Sequence, residues 1–301
     1  VTGALVAGAG LAYAAGFEVH AFTLRRHTVP VLPAGHRPLR VLHLSDLHLI
    51  PRQRTKQQWV ASLTGLRPDL VVTTGDLIAH RDSVAALTSS LAGLLDVPGL
   101  FVRGSNDYFA PEVKNPGRYL LPDDGRRSVH TERLPTAELD AALTGAGWLD
   151  LDNARVLLAL GDTVIEAVGT DDAHLGYDRY HDVAGARSPD ADLLLGVTHA
   201  PYLRVLDAMW ADGVDLVMAG HTHGGQLCLP GGRALVTNCD LDTARARGLS
   251  RHPAAGGAGA SWLHVSGGLG TSPTAPVRLA CRPEAALLTL VPRPRSSPGE
   301  R

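Results

Sequence analysis

The sequence predicts an α/β fold whose strands are largely buried. Short runs of β-branched and aliphatic residues recur along the chain, and each closes on a polar or Gly-rich turn. Stretches of helical character separate the first of them, and roughly 4–8 such residues alternating with helices read as strands covered on both faces. The 301 residues are 45% hydrophobic and 19% charged, which is enough apolar surface for a sizeable core. That balance excludes a disordered or collagen-like chain.

In order, residues 1–17 carry no charge and are rich in Ala, Gly, Val and Leu, before Glu18 and His20 interrupt them and Arg25-Arg26 follow. A bilayer-spanning helix needs about 20 apolar residues, so two readings stay open: a helix packed on the domain, or membrane contact through residues 1–24. No basic stretch precedes the apolar one, against a cleaved signal peptide. If the segment spans, Arg25 and Arg26 put the globular part on the cytoplasmic side; cytoplasmic location, with or without membrane association, is the expectation. Pro30, Pro33 and Pro38 predict an extended linker, so residues 1–38 form an apolar helix plus linker and residues 39–292 the main domain.

Strands are expected at 39–44, 70–74, 99–102, 193–197 and 214–219, with helices at 54–65 and 83–95. Residues 156–160 and 163–168 flank Gly161-Asp162 and predict a hairpin. Residues 111–133, charged and aperiodic, read as a long surface loop, and residues 293–301 as a flexible tail.

The net charge of −2 offers no field for nucleic acid. Three cysteines, none in a CxxC pair, exclude a disulfide scaffold, a zinc finger and a thioredoxin-type site.

The chemistry follows the strands. The first runs into Asp46-Leu47-His48, the second into Gly75-Asp76 and the third into Gly104-Ser105-Asn106-Asp107. The fourth ends in Thr198-His199 and the fifth in Gly220-His221-Thr222-His223-Gly224-Gly225-Gln226. Alternation along a strand puts positions i and i+2 on one side, so Asp46 and His48 are expected to converge. Carboxyl ends of strands in open α/β sheets gather at one edge, where ligands bind. Asp46, His48, Asp76, Asn106, His199, His221 and His223 are too many ligands for one tetrahedral ion. Two ions fit better, with the Asp76 carboxylate between them. Imidazole and carboxylate without thiolate suit manganese, iron or zinc. Two such ions about 3.5–4 Å apart serve phosphoester hydrolysis.

Together these elements resemble the calcineurin-like metallophosphoesterases, in the bacterial branch that carries the Gly-His-Thr-His-Gly-Gly-Gln string and often an N-terminal membrane segment. Gly268-Leu269-Gly270-Thr271-Ser272, Pro276-x-Arg278 and Pro283-Glu284 are also similar to that branch. The resemblance implies a four-layer α/β/β/α sandwich of two mixed sheets. It implies that Asp46, His48, Asp76 and His223 hold one ion, and Asp76, Asn106, His199 and His221 the other. A bridging hydroxide is then the nucleophile. The implied substrate is a small phosphoester (monoester, diester or pyrophosphate) or a lipid-linked phosphate.

One element departs from the family pattern, which reads Gly-Asn-His followed by Asp or Glu where this chain has Gly104-Ser105-Asn106-Asp107. Aligned without a gap, Ser105 takes the ligand place and Asn106 that of the phosphate-binding His. A one-residue shift, favoured because a Ser hydroxyl is a poorer ligand than an amide carbonyl, keeps Asn106 as ligand and puts Asp107, then the candidate general acid, in the place of that His. That His is absent, and general-acid help is commonly worth about 10²–10⁴-fold. Turnover is therefore expected to be modest or selective for good leaving groups.

Other polar residues read as structural. His43 is expected to be a hydrogen-bonded core histidine, and Cys228 a small buried hydrophobe. Asp171, Asp172 and His174 lie either near the mouth of the site or in an Asx turn. Arg103, Tyr108 and Arg118 are candidates to meet phosphate. Two competing classes are a membrane-bound sensor or scaffold with a degenerate site, and a metal amidohydrolase. The latter usually opens with its His pair and uses a modified Lys, whereas here the pair comes last and neither Lys56 nor Lys114 ends a strand.

Overall fold

The computed structural model describes residues 10–111, 132–257 and 259–294; most of the expected loop at 111–133, Arg118 and most of the expected tail lie outside them. After short helical turns at Tyr13–Phe17 and Glu18–His20, the chain forms β1 (Thr23–Leu32), β2 (Leu39–Leu44), α1 (Arg54–Ser62), β3 (Leu70–Thr74) and α2 (Val84–Leu95). Next come β4 (Gly99–Val102), α3 (Ser105–Tyr108), α4 (Thr136–Gly145), β5 (Leu149–Asp150) and the hairpin of β6 (Arg155–Leu160) and β7 (Thr163–Gly169). The remainder is β8 (Leu193–Val197), α5 (Leu203–Ala211), β9 (Leu216–Ala219), β10 (Gly248–His252), β11 (Ser261–Val265) and β12 (Glu284–Pro292).

These strands build two six-stranded mixed sheets, ordered β1-β12-β2-β3-β4-β5 and β10-β11-β9-β8-β7-β6. Side-chain alternation then makes layers. Val41, Leu70, Val72 and Leu100 of the first sheet meet Ile165, Leu193, Leu195, Leu216 and Met218 of the second in one buried cluster. The opposite face of the first sheet, with Leu42, Leu44, Val71 and Phe101, is covered by the helices. There α2 presents Val84, Leu87, Leu91 and Leu94, the three-and-four spacing of one helix face. The outer face of the second sheet packs Leu194, Val217 and Leu263 against Val205, Leu206 and Met209 of α5. The result is the α/β/β/α sandwich.

The linker expected from Pro30 is instead part of β1, paired in parallel with β12 at the edge of the first sheet. Proline is tolerated there because an edge strand leaves one row of N–H groups without a sheet partner. Arg25 of this strand pairs with Glu284 of β12 at 3.1 Å. Glu18 is buried and its Oε1 accepts from Cys281 N (2.5 Å), so the described leader is tied to the domain at Ala14 and Glu18, while Leu11, Tyr13 and Phe17 stay exposed. No helix among the described residues is long and apolar enough to cross a membrane.

Candidate metal centre

The segments that follow the strands run side by side. Asp46 N donates to Gly75 O and His48 N to Asp76 O, both at 2.9 Å. Asp46 (φ 50°), His48 (41°), Asp76 (53°), His221 (68°) and His223 (51°) all take left-handed backbone conformations. Such conformations cost non-glycine residues about 1–3 kcal/mol each, and they cluster at functional sites. Asp46 and His48 do converge, but through two left-handed turns rather than by strand alternation.

Two groups of ligand atoms result, each within 4.8 Å: Asp46, His48 and His223; and Asp46, Asp76 and His199. His48 Nε2 lies 3.1 Å from His223 Nε2 and 3.4 Å from Asp76 Oδ2, which is itself 3.7 Å from His199 Nε2. Asp76 thus stands between the two histidine sets. His223 Nε2 is 3.6 Å from Asp46 Oδ1.

For three of the four rings a neighbouring carbonyl marks a nitrogen that carries a proton, whereas the buried His48 Nδ1 has no hydrogen-bond partner among the described residues. His199 Nδ1 donates to Thr74 O (2.6 Å), and its buried Nε2 has no hydrogen-bond partner among the described residues. His223 Nδ1 donates to Gly270 O (3.1 Å), leaving Nε2 to face Asp46. His221 Nε2 donates to Asn238 O (3.1 Å), which makes Nδ1 its lone-pair nitrogen. Burial holds His48 well below the ordinary imidazole value and brings His223 down to about 3, so both are neutral and carry a lone pair. Burial raises Asp76 to about 8, helped by Asp46 and Asp107 although His199 opposes it. Burial lowers His199, but Asp76, Asp172 and Asp46 together lift it to about 9, so near pH 7 without a cation its Nε2 also carries a proton, one that a bound cation would displace. Buried carboxylates in excess, facing orphaned imidazole nitrogens, suit a divalent cation.

His221 joins through its main chain, whose N–H lies 3.1 Å from both Asp46 oxygens, and through its ring, 5.2 Å from that of His199. Asn106 joins through its N–H, which donates to Asp76 Oδ1 at 2.7 Å, while Nδ2 reaches Phe109 O at 3.4 Å. Asp107 does not face the cleft. Its Oδ1 accepts from Leu77 N (2.7 Å) and Ile78 N (3.2 Å), and its Oδ2 from Gly104 N (3.0 Å). Burial pushes this carboxyl up against three N–H groups that favour its charge. The expected proton donor is a strut that holds the 104–107 turn against Asp76.

Arg103 is likewise not available for phosphate, being paired with Asp140, Asp150 and Asp152. Asp172 forms the Asx turn, accepting from His174 N (2.8 Å), and the same turn lays the His174 ring 4.7 Å from His221, so both readings of that segment hold. Sequence reasoning noted Arg278 only within a motif and Lys56 only as absent from a strand end, without a place for either: Arg278 is fully buried behind His223 with Nη2 on Gly270 O (2.6 Å), and Lys56 is buried with its ammonium donating to Leu47 O (2.6 Å). Lys56 stands among Arg54, Thr55, Gln57 and Gln58 and so reads as solvated, while Arg278 lies among apolar residues, a weak signal that snorkelling side chains also give.

Gly104 is required for close approach. A Cβ there would overlap Asp76 Oδ1 and lie 2.7 Å from His199 Cε1 and 2.8 Å from Asp76 N. Gly104→Ala should fold yet bind manganese and turn over about 100-fold less well, the usual cost of a misplacement near 1 Å. Manganese titration by electron paramagnetic resonance beside kcat checks this, and unchanged affinity would refute it.

Residues 39–225 match the model of the calcineurin-like phosphoesterase family. This chain belongs to that family. It is 27% identical to the uncharacterized metallophosphoesterase YkuE of Bacillus subtilis over 299 residues, covering 96% of this chain and 92% of that protein. It is also 27% identical to phosphodiesterase YaeI of Escherichia coli, covering 95% of each. A transmembrane protein with metallophosphoesterase domain from Bos taurus is 30% identical over 205 residues, 66% of this chain and 44% of that one. Among solved structures, a dimetal phosphatase from Danio rerio covers 80% of this chain and 88% of its own, at TM-score 0.41 and 12% identity. The chain is a metallophosphoesterase, a hydrolase of phosphoester bonds.

Proposed function

We propose that the chain is a phosphodiesterase that works with two cations, manganese, iron or zinc. The observation that supports this best is the position of Asp76 Oδ2, between His48 Nε2 and His199 Nε2. In this reading Asp46, His48, Asp76 and His223 hold one cation, and Asp76, Asn106, His199 and His221 the other. Two cations so held would supply charge that polarises a phosphoryl group and acidifies an attacking water.

The chain's own residues do the rest. Thr74 O, Gly270 O and Asn238 O hold the three imidazoles in one tautomer. Asp107 and Gly104 set the turn that brings Asn106 N–H onto Asp76. No histidine stands in the 104–107 element, so the leaving group receives little proton assistance from that turn. Esters with acidic leaving groups are therefore the favoured substrates, and a diester places the smaller charge in the site. The name of the Escherichia coli relative points the same way.

The test is hydrolysis of bis-p-nitrophenyl phosphate and of p-nitrophenyl phosphate by metal-free and manganese-loaded protein, with metal content measured. The expected result is two manganese ions per chain and diester turnover above monoester turnover. Two bound ions without turnover on either ester would favour a sensor or scaffold instead.

A further inference from the structure

Behind Asp46 lies a line of polar side chains that the chemistry above does not use, set in the apolar layer between the sheets. Ser45 Oγ donates to Asp46 Oδ2 (2.6 Å), and Thr74 Oγ1 donates to Ser45 Oγ (2.6 Å). His43 Nε2 is 2.9 Å from Thr74 Oγ1, and His43 Nδ1 is 2.9 Å from His264 Nδ1. All five residues are fully buried. His43 belongs to β2 and His264 to β11, so the line crosses from one sheet to the other. His27 of β1 packs edge-on to His264, ring centroids 5.0 Å apart.

Counting protons gives the line one direction. A carboxylate only accepts, so Ser45 spends its single proton on Asp46. Ser45 then accepts from Thr74, and Thr74, its own proton spent, accepts from His43 Nε2–H. A neutral imidazole has one N–H, so His43 Nδ1 accepts and His264 Nδ1 donates. His264 Nε2 is thereby left bare, and it is a buried nitrogen with no hydrogen-bond partner among the described residues. Burial keeps both rings neutral, bringing His43 down to about 3 and His264 well below its ordinary value.

We propose that His264 and His43, acting through Thr74 and Ser45, are positioning residues for Asp46. The chain of donors pins Oδ2 and so turns Oδ1 toward His223. This rests on Asp46 being a metal ligand. Groups that orient a ligand from behind typically change metal affinity by about 10–100-fold when removed. Because this line is anchored in both sheets, the position of Asp46 is tied to the packing between them.

Two measurements test it. Long-range ¹H–¹⁵N spectra of the metal-free protein at pH 7 should show His43 protonated at Nε2 and His264 at Nδ1, the less common tautomer; a charged His264, or one protonated at Nε2, overturns the proposal. Manganese titrations should then compare Thr74→Val, Thr74→Ser, His264→Leu and the Thr74→Val/His264→Leu double variant with the wild type. Thr74→Val and His264→Leu should each weaken binding about 10–100-fold, and Thr74→Ser should restore it. The double variant should bind no more weakly than Thr74→Val, since the line is already cut there. Additive losses, or wild-type affinity in Thr74→Val, overturn the proposal. A wild-type chain that binds no manganese would instead overturn the metal reading, and the positioning role with it, even with the tautomers as expected.

Discussion

Asp76→Asn should lower diester turnover by about a thousandfold or more at saturating manganese, and should reduce the metal content to one ion per chain or fewer. The asparagine is nearly isosteric and keeps an oxygen for the N–H of Asn106, which now donates to Asp76 Oδ1. What it loses is the negative charge between His48 and His199, 3.4 and 3.7 Å from Asp76 Oδ2. One neutral amide oxygen cannot serve two cations as a carboxylate does. Loss of one preorganised electrostatic contact commonly costs about 10²–10³-fold, and this change weakens two contacts at once. The fold should survive, because Asp76 is already an expensive residue to bury: desolvation and the nearby Asp46 and Asp107 raise it to about 8. Equal or higher melting temperature with lost turnover is therefore the expected signature, read by calorimetry, elemental analysis and kcat on one preparation. Turnover within tenfold of wild type would rule out Asp76 as the shared ligand.

The candidate ligands could be picked out because they follow buried strands, and buried strands announce themselves as aliphatic runs. Asp46, Asp76, His199, His221 and His223 all come just after β2, β3, β8 and β9. Asp46 and His48 converge, but not by strand alternation: Asp and His are enriched at left-handed φ without requiring it, so residue type alone does not reveal that backbone. Edge strands were harder. β1 carries Arg25, Arg26 and Pro30, and its burial alternates only in its second half, so it reads as a linker. The role of a polar residue depends on partners far away in sequence: His43 and His264 are separated by 221 positions. Asp107 illustrates the same limit. Placing Asn106 as a ligand made Asp107 look like a proton donor, and only the approach of the Leu77 and Ile78 N–H groups to Oδ1 and of Gly104 N–H to Oδ2 shows that both its oxygens serve the main chain.

Arg103→Met should destabilise the fold by about 3–5 kcal/mol, the range found when one partner of a buried ion network is removed. The Arg103 side chain is 13% exposed and its guanidinium meets three carboxylates: Asp140 at 2.5 Å, Asp150 at 3.1 Å and Asp152 at 2.6 Å. It also donates to the Tyr108 hydroxyl (2.9 Å), which in turn donates to Asp171 (2.8 Å). These acids come from α4, from β5 and from the turn after it, so Arg103 ties the end of β4 to the edge of its sheet. Methionine preserves most of the stem's volume and removes only the charge and its donors. The loss should depend on pH in a definite sense. Burial, then Asp171, raises Asp152 well above the ordinary carboxyl value, while Arg103 lowers it; without the arginine it rises further. A carboxyl raised by folding contributes stability below its unfolded value and loses it as pH climbs through the folded one. The variant should thus be closest to wild type near pH 5 and fall furthest behind near pH 8, where unpaired carboxylates must ionise inside the fold. Urea melts at both pH values measure this. An equal deficit at the two would show that Arg103 acts through packing alone, and a deficit below about 1 kcal/mol would place its ion pairs with weak surface ones.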